Sequence, residues 1–159
     1  MDNEIKTTAE AHEGEAIPRA HVVHCDPQPR QTAEKEPLPK GIAKTPVAEK
    51  SPAQWAYERL ILYIKNFEEQ LDNEHEVAMA FVGGDAGVLR IEGLGYFDPD
   101  IITFYGSDAS GAKTQLIQHV SQLSVMLRAL PKAPTAKAPN RIGFRLAADL
   151  EQSATREET

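Results

Sequence analysis

The stretch Val88–Gly106, with the sequence VLRIEGLGYFDPDIITFYG, constrains the fold more than any other part of the chain. Two runs rich in β-branched and aromatic residues flank an Asp-Pro-Asp segment at positions 98–100, a pattern that is typical of a β-hairpin. Proline fixes φ at the second position of such a turn. Pairing outward from a two-residue Pro-Asp turn places Phe97 opposite Ile102, and alternation along both strands decides which side chains share a face.

A second hairpin is predicted just before this one. Residues Glu76–Val82 predict a first strand, and the glycine-rich segment after it predicts a five-residue loop that pairs Val82 with Val88. The two turns, chosen independently, put one set of large apolar residues on the same face of a three-stranded antiparallel meander. Gly93 and Gly95 fall on this face too and leave room for the Phe104 ring to lie across the strand, or for a helix to approach closely. The apolar set comprises Val77, Met79, Phe81, Leu89, Ile91, Phe97, Ile102 and Phe104.

Helices are predicted on either side of the meander. Ser51 can cap a helix that begins with Pro52, and apolar residues follow helical spacing from Ala53 to Leu71. Helical spacing recurs from Leu116 to Leu130, where Pro131 ends the pattern. The exposed apolar flank of the first helix is a candidate contact for a partner or for a second copy.

The alternating segment Arg141–Leu146 predicts a fourth strand. The order α-β-β-β-α-β over residues 51–150 therefore indicates an α+β two-layer sandwich. In this arrangement a mainly antiparallel four-stranded sheet of order 4-1-2-3 carries both helices on its apolar face. Residues 1–50 hold six of the 11 prolines and none of the five phenylalanines, which predicts a disordered tail. Residues 151–159 are polar and predict a frayed C-terminus.

Composition excludes several classes of function. A net charge of −7 argues against a general nucleic-acid or anionic-membrane binder, and no apolar run has the length of a membrane helix. The N-terminus lacks the pattern of a secretory signal, and the one cysteine, Cys25, fits a reducing compartment. A cytoplasmic location is expected. His12, His21, His24 and Cys25 are candidate zinc ligands without two regularly spaced ligand pairs, so no metal or cofactor is expected.

The face of the predicted sheet that points away from the helices is the candidate binding site. It is half apolar, it carries two tyrosines and arginines, and no predicted element remains to cover it. We therefore expect a non-catalytic protein-interaction module that self-associates through this open face or through the first helix. The alternative is a sensor domain that binds a small molecule or an anion by charge and stacking. The candidate binding residues are Arg90, Glu92, Leu94, Tyr96, Tyr105, Arg141 and Arg145.

Catalysis is the third hypothesis. Asp98, Asp100 and His119 are residue types that perform acid–base work, but aspartates beside a turn proline are what turn preferences alone favour. No nucleophile stands out, so an unrecognised hydrolase ranks below the two binding hypotheses and no catalytic residue is assigned.

Four blocks of sequence carry a resemblance. SPAQWAYERLILYIKNFEEQL, VLRIEGLGYFDPDIITFYG, TQLIQHVSQLSVMLRALP and RIGFRL are similar to a small bacterial family recorded as a domain of unknown function. The resemblance extends over roughly residues 51–148. It implies a bacterial cytosolic protein and brings neither an activity nor site residues.

Overall fold

The computed structural model describes residues 20–25, 32–35, 45–81 and 87–157. Over these residues the chain forms two α-helices and five β-strands in the order α-β-β-β-β-β-α. The elements are α1 (Pro52–Glu69), β1 (His75–Phe81), β2 (Val88–Phe97), β3 (Ile101–Ser107), β4 (Lys113–His119), β5 (Val125–Pro131) and α2 (Ile142–Glu157).

The strands form one open antiparallel sheet in the order β4-β3-β2-β1-β5. Apolar side chains of both helices pack with those of the strands in one core, which contains Ile61 and Ile64 of α1 and Ile142 of α2. The predicted α+β class is confirmed. The predicted number of strands and their order, 4-1-2-3, are wrong.

The predicted second helix is wrong, because its residues form β4 and β5, joined by a 3-10 turn at Val120–Gln122. Its apolar residues fit two alternating runs as well as they fit one helix. Leu116 lies opposite Phe104 of β3, and Leu127 lies opposite Met79 of β1, so both pack on the core. Pairing with distant strands overrides the local helical pattern.

The predicted fourth strand at Arg141–Leu146 is also wrong, because this segment begins α2. Alternation over six residues is too short to separate a strand from a helix. When the pattern is followed further, the core residues Ile142, Leu146, Ala147 and Leu150 recur at helical spacing. The place beside β1 that was predicted for this strand belongs to β5.

The hairpin of β2 and β3 is confirmed, with a register that differs by one residue. Phe97 pairs with Ile101 rather than with Ile102, so three residues form the turn, and the Asp98–Pro99 peptide bond is cis. The Ser51 hydroxyl caps α1 by accepting from the Gln54 N–H at 3.0 Å and donates to Asp98 Oδ1 at 2.5 Å. The turn is thus held against the N-terminus of α1, a contact that local turn preferences do not predict.

A β-bulge at Glu92 changes which side chains of β2 face the helices. Ile91 and Gly93 pair with consecutive residues of β3, so Glu92 between them is one extra residue. Upstream of the bulge the odd-numbered side chains face the helices, and downstream the even-numbered ones do. The downstream residues that face the helices are Leu94 and Tyr96. Phe97 therefore points outward, which corrects its predicted place in the core.

The first hairpin keeps its predicted faces. Met79 pairs with Leu89 rather than with Ile91, and a shift of two residues leaves each side chain on the same side of the sheet. Val82 and most of the predicted loop, residues 82–86, lie outside the described residues.

Two described segments of the predicted tail contact α1. Ala33 is buried, and the Tyr63 hydroxyl donates to Glu34 Oε1 at 2.7 Å. Closer to the helix, Lys50 Nζ lies 2.7 Å from Glu58 Oε2, with both side chains almost fully buried. These contacts cover part of the α1 flank that the sequence left open for a partner.

Candidate interaction surface

Three large apolar side chains cluster on the face of the sheet that points away from the helices. Phe97, Ile117 and Tyr105 are 76%, 62% and 43% exposed, so no described residue covers them. They lie on adjacent strands, since Ile117 is opposite Thr103, two residues from Tyr105 on β3, and Phe97 ends β2 beside Ile101. We call Phe97, Tyr105 and Ile117 the open-face patch. Large apolar side chains exposed on one face of a sheet make that face a candidate interaction surface.

Two glycines shape the patch. A Cβ at Gly93 would lie 3.7 Å from the Tyr105 ring, and one at Gly95 would lie 2.7 Å from the Thr103 hydroxyl and 3.8 Å from that ring. The tyrosine ring therefore lies across β2 above both glycines, an arrangement that supports bare strand segments. The prediction of an aromatic ring over these glycines gave the wrong residue, Phe104, because the bulge had moved the glycines to the outer face.

Two pairs of oppositely charged side chains lie on this face. Lys113 Nζ contacts both carboxylate oxygens of Glu92 at 2.9 Å. Arg90 pairs with Glu76 and donates to the Pro131 carbonyl at 3.0 Å, so its side chain spans β1. These two pairs neutralise each other, and Arg128 of β5 is a further exposed charge on the same face.

The outer edge of β4 is open as well. Its seven residues pair with β3 on one side, and in the described part of the chain β4 ends the sheet on the other. Exposed and half-buried residues alternate along it, as in a strand with one face on the core and one in solvent. Unpaired backbone groups along such an edge are a template for another strand.

The three candidate catalytic residues meet in part. His119 Nε2 lies 2.7 Å from Asp100 Oδ2, and its Nδ1 lies 2.7 Å from the Ser121 hydroxyl. Nδ1 also accepts from the Ser121 N–H at 3.1 Å, because His119 caps the 3-10 turn with Gln122 completing a capping box. Asp98 instead accepts from Ser51. The imidazole lone pair is used by the fold, so this arrangement supports a structural cap rather than a general base.

The seven candidate binding residues lie on three different surfaces. Arg90, Glu92 and Tyr105 are on the open face, as predicted. Leu94 and Tyr96 are on the helix face: Leu94 packs against the core, and the Tyr96 ring lies 5.0 Å from that of Tyr57 on α1. Their predicted place on the open face is wrong because the bulge at Glu92 reverses the alternation of β2 after it, and Gly93, a glycine inside a strand, is the one local sign of that bulge.

Arg145 is on α2 and Arg141 immediately precedes it, so neither is on a strand. Arg141 donates to the carbonyls of His75 and Asp72 at 2.9 and 2.8 Å, so it holds α2 against the start of β1. Both arginines line an open groove of about 600 Å³ together with Glu76 and Phe144. Glu76 accepts there from the Asn140 N–H at 2.8 Å.

One buried carboxyl group lies between the helices. Glu68 is 2% exposed, and its Oε1 accepts from the Gly143 N–H at the start of α2 at 2.9 Å. Its Oε2 is buried without a hydrogen-bond partner. Burial raises the pKa of Glu68 above its ordinary value, while the bonds from the α2 backbone and nearby Arg141 oppose that shift.

Sequence reasoning missed the two most exposed members of the open-face patch, Phe97 and Ile117. Phe97 was assigned to the core and Ile117 to a helix. The alternation of Lys-Thr-Gln-Leu-Ile-Gln-His at 113–119 is the signal that could have placed Ile117 on a strand.

The candidate zinc ligands lie in the N-terminal segment, and His12 is outside the described residues. Within the described ranges, no group of three or more His, Cys, Asp or Glu residues could hold a metal ion, and Cys25 is exposed. Neither of the described helices has the length and apolar content to cross a membrane.

Comparison with known proteins identifies the family. The chain belongs to a family of unknown function (DUF6173), whose model matches residues 49–145. The matched segment runs from just before α1 to the first turn of α2, so it includes all five strands. No curated protein and no solved structure is similar to the chain.

Proposed function

We propose that this domain is a non-catalytic protein-interaction module that self-associates through the β2–β3–β4 half of its sheet. The observation that carries this proposal is the open-face patch, where Phe97 and Ile117 are 76% and 62% exposed on adjacent parts of one face. Contact between large apolar side chains and water is unfavourable, so a complex in which a partner covers them is stabilised by about 25 cal/mol per Å² of apolar surface buried.

A second copy of the chain fits this surface better than a highly charged partner does. The charged residues around the patch are already paired, Glu92 with Lys113 and Arg90 with Glu76. A basic or acidic partner would have to break those pairs to gain charge complementarity. Two copies that meet about a two-fold axis present the same surface to each other and need no charge complementarity.

Light scattering coupled to size exclusion tests this proposal on the full chain. We expect a concentration-dependent mass that rises from 17.5 kDa toward twice that value across the micromolar range. Ile117→Ser is expected to shift the equilibrium toward monomer. Phe144→Ser, which removes a 45% exposed aromatic side chain from α2, is the matched control and is expected to leave the mass unchanged. A wild-type chain that stays monomeric at high micromolar concentration would contradict the proposal.

The second candidate function is binding of a small organic anion. It is supported by the groove beside β1, where Arg141, Arg145 and Phe144 combine a cationic and an aromatic wall. Arg141 is committed to backbone carbonyls, so Arg145, which is exposed, would make the contact with the ligand.

Thermal unfolding with succinate or inorganic phosphate as the probe tests this second candidate. A ligand that binds the folded state raises the midpoint temperature, and Arg145→Gln is expected to abolish that rise. Arg128→Gln changes an exposed arginine on β5, away from the residues that line the groove, and serves as the control. Equal midpoint shifts in both variants would exclude a site at the groove.

A further inference from the structure

We infer that two copies join edge to edge through antiparallel pairing of β4 with β4 of the partner, which makes one ten-stranded sheet. This inference rests on the proposed self-association and specifies its contact and its register. The two sheet edges described above differ in how far they are protected against such pairing.

The β5 edge carries the features that proteins use to block strand addition. Arg128 stands at its centre and Pro131 at its end, and the Pro131 carbonyl accepts from Arg90. The β4 edge has no proline and no bulge over its seven residues. Its one lysine, Lys113, is at the end of the strand and is turned to Glu92 on β2. Edge strands that lack proline, bulges and central charges pair readily with another strand.

The register follows from the two faces of the sheet. When a strand pairs with its own copy about a two-fold axis, core-facing residues meet core-facing residues only if the axis passes through a residue rather than between two. An axis at Leu116, the middle residue of Lys113–His119, pairs all seven residues. Any other allowed axis leaves at least two residues of each strand unpaired. The register therefore sets Leu116 opposite the partner's Leu116.

This register also matches the side chains on both faces. On the core side, Gln118 has a buried side-chain oxygen without a hydrogen-bond partner, and it lies opposite the partner's Thr114. The Thr114 hydroxyl donates to the Ala112 carbonyl in the single chain and can turn to that amide instead, since hydroxyl side chains bond across strands. On the outer side, Lys113 is 79% exposed at its side chain and lies opposite the partner's His119, which is backed by Asp100.

Pairing at this edge joins the two open-face patches into one. Ile117 lies opposite the partner's Gln115, so the two Ile117 side chains are diagonal neighbours across the axis and within contact distance. Edge pairing buries only the Ile117 part of the open-face patch, and Phe97 and Tyr105 of both copies stay exposed on the outer face of the combined sheet.

Cysteine cross-linking in the full chain tests the edge and its register. Cys25 is exposed and is changed to Ser in all variants. With the axis at Leu116, Leu116→Cys places two Cα atoms about 4.5–5.5 Å apart, within the range of a disulfide. Thr114→Cys and Gln118→Cys, which share its face and strand, would each be separated from their own copies by roughly 13 Å. We expect a cross-linked dimer under mild oxidation from Leu116→Cys and none from these two controls.

A second pair of variants avoids any change on the core side. Gln115 and Ile117 are both exposed and lie opposite each other in the proposed register. A mixture of Gln115→Cys and Ile117→Cys chains is expected to give roughly tenfold more cross-linked dimer than Gln115→Cys alone, because only the mixed pair falls within disulfide range.

The outcomes separate this inference from the proposed function. If Phe97→Cys cross-links and Leu116→Cys does not, the copies meet face to face, which overturns the edge contact and leaves self-association standing. Equal cross-linking at positions 114, 116 and 118 would indicate random collision and would also overturn the register. A chain that stays monomeric by light scattering and cross-links at none of these positions would overturn both.

Discussion

Gly143 packs closely against α1, and Gly143→Ala tests that packing directly. A Cβ at this position would lie 2.7 Å from Glu68 Oε2 and 2.9 Å from both the backbone nitrogen and the Cα of Lys65. The carboxylate is the end of a side chain, but the Lys65 backbone is part of α1 and cannot move aside alone. The added methyl group must therefore push the start of α2 away from α1.

Three contributions set the expected size of the effect. Overpacking a close contact costs about 1–3 kcal/mol, and a displaced α2 also weakens the Gly143 N–H to Glu68 bond, worth about 1.5–3 kcal/mol for a charged acceptor. Alanine in a helix gains about 1 kcal/mol over glycine. We expect a net loss of about 2–4 kcal/mol, which corresponds to a fall in Tm of roughly 10–20 °C for a domain of this size.

Urea denaturation followed by far-ultraviolet circular dichroism measures this loss. Gly93→Ala is the matched control, because its Cβ meets Tyr105 at an ordinary 3.7 Å, and we expect a change within about 0.5 kcal/mol. The double variant Glu68→Ala, Gly143→Ala removes the carboxylate contact but keeps the Lys65 backbone contact, so it should not recover stability. A Gly143→Ala protein as stable as wild type would refute the close approach of the two helices.

Three further predictions concern buried and capping groups. Because burial raises the pKa of Glu68, the folded state holds the Glu68 proton more tightly than the unfolded chain does. The stability from this group is full below the unfolded pKa of about 4.3 and is lost as pH rises through the folded pKa. Glu68→Gln should therefore gain stability relative to wild type as pH increases, and a difference in urea titrations that does not change with pH would contradict this. Lys50→Met should lower the free energy of unfolding by about 3–5 kcal/mol, because it leaves the Glu58 carboxylate buried without its cation. A chain that begins at Ser51 also lacks Lys50 and should show a similar loss of stability by thermal unfolding. Ser51→Ala should lower the free energy of unfolding by about 0.5–2 kcal/mol through the lost helix cap. Ser51→Asn, which can still cap the helix, is the control and should lose less. An unchanged Tm in Ser51→Ala would show that the cap is dispensable.

Features carried by neighbouring residues were predicted well from the sequence. The cap at Ser51, the start of α1 and the β2–β3 hairpin all depend on residues within a few positions of one another, and propensities act at that range. The faces of β1 were also predicted correctly, because an error of two residues in the first hairpin does not change the side to which a residue points.

Features decided by distant contacts were missed. Leu116–Leu130 fits a helix as well as two strands, and the choice depends on β3 and β1, which lie elsewhere in the chain. The bulge at Glu92 is marked only by Gly93 beside it, a weak signal, yet it moved Leu94 and Phe97 to the faces opposite those predicted. Of the seven candidate binding residues, Arg90, Glu92 and Tyr105 were placed on the open face correctly. Phe97, which does lie on that face, was not predicted to be there.

The bulge at Glu92 also makes the length of β2 a determinant of its two surfaces. Removing one residue at the bulge would shorten the strand but would leave the chemistry of every remaining side chain unchanged. The half of β2 that precedes the bulge would keep its orientation, and the half that follows would rotate by one position. Phe97 would then turn toward the helices, and Leu94 and Tyr96 would take its place on the outside. A change in length by one residue, in a lineage of such domains, would thus exchange an exposed surface for a core surface without a single substitution.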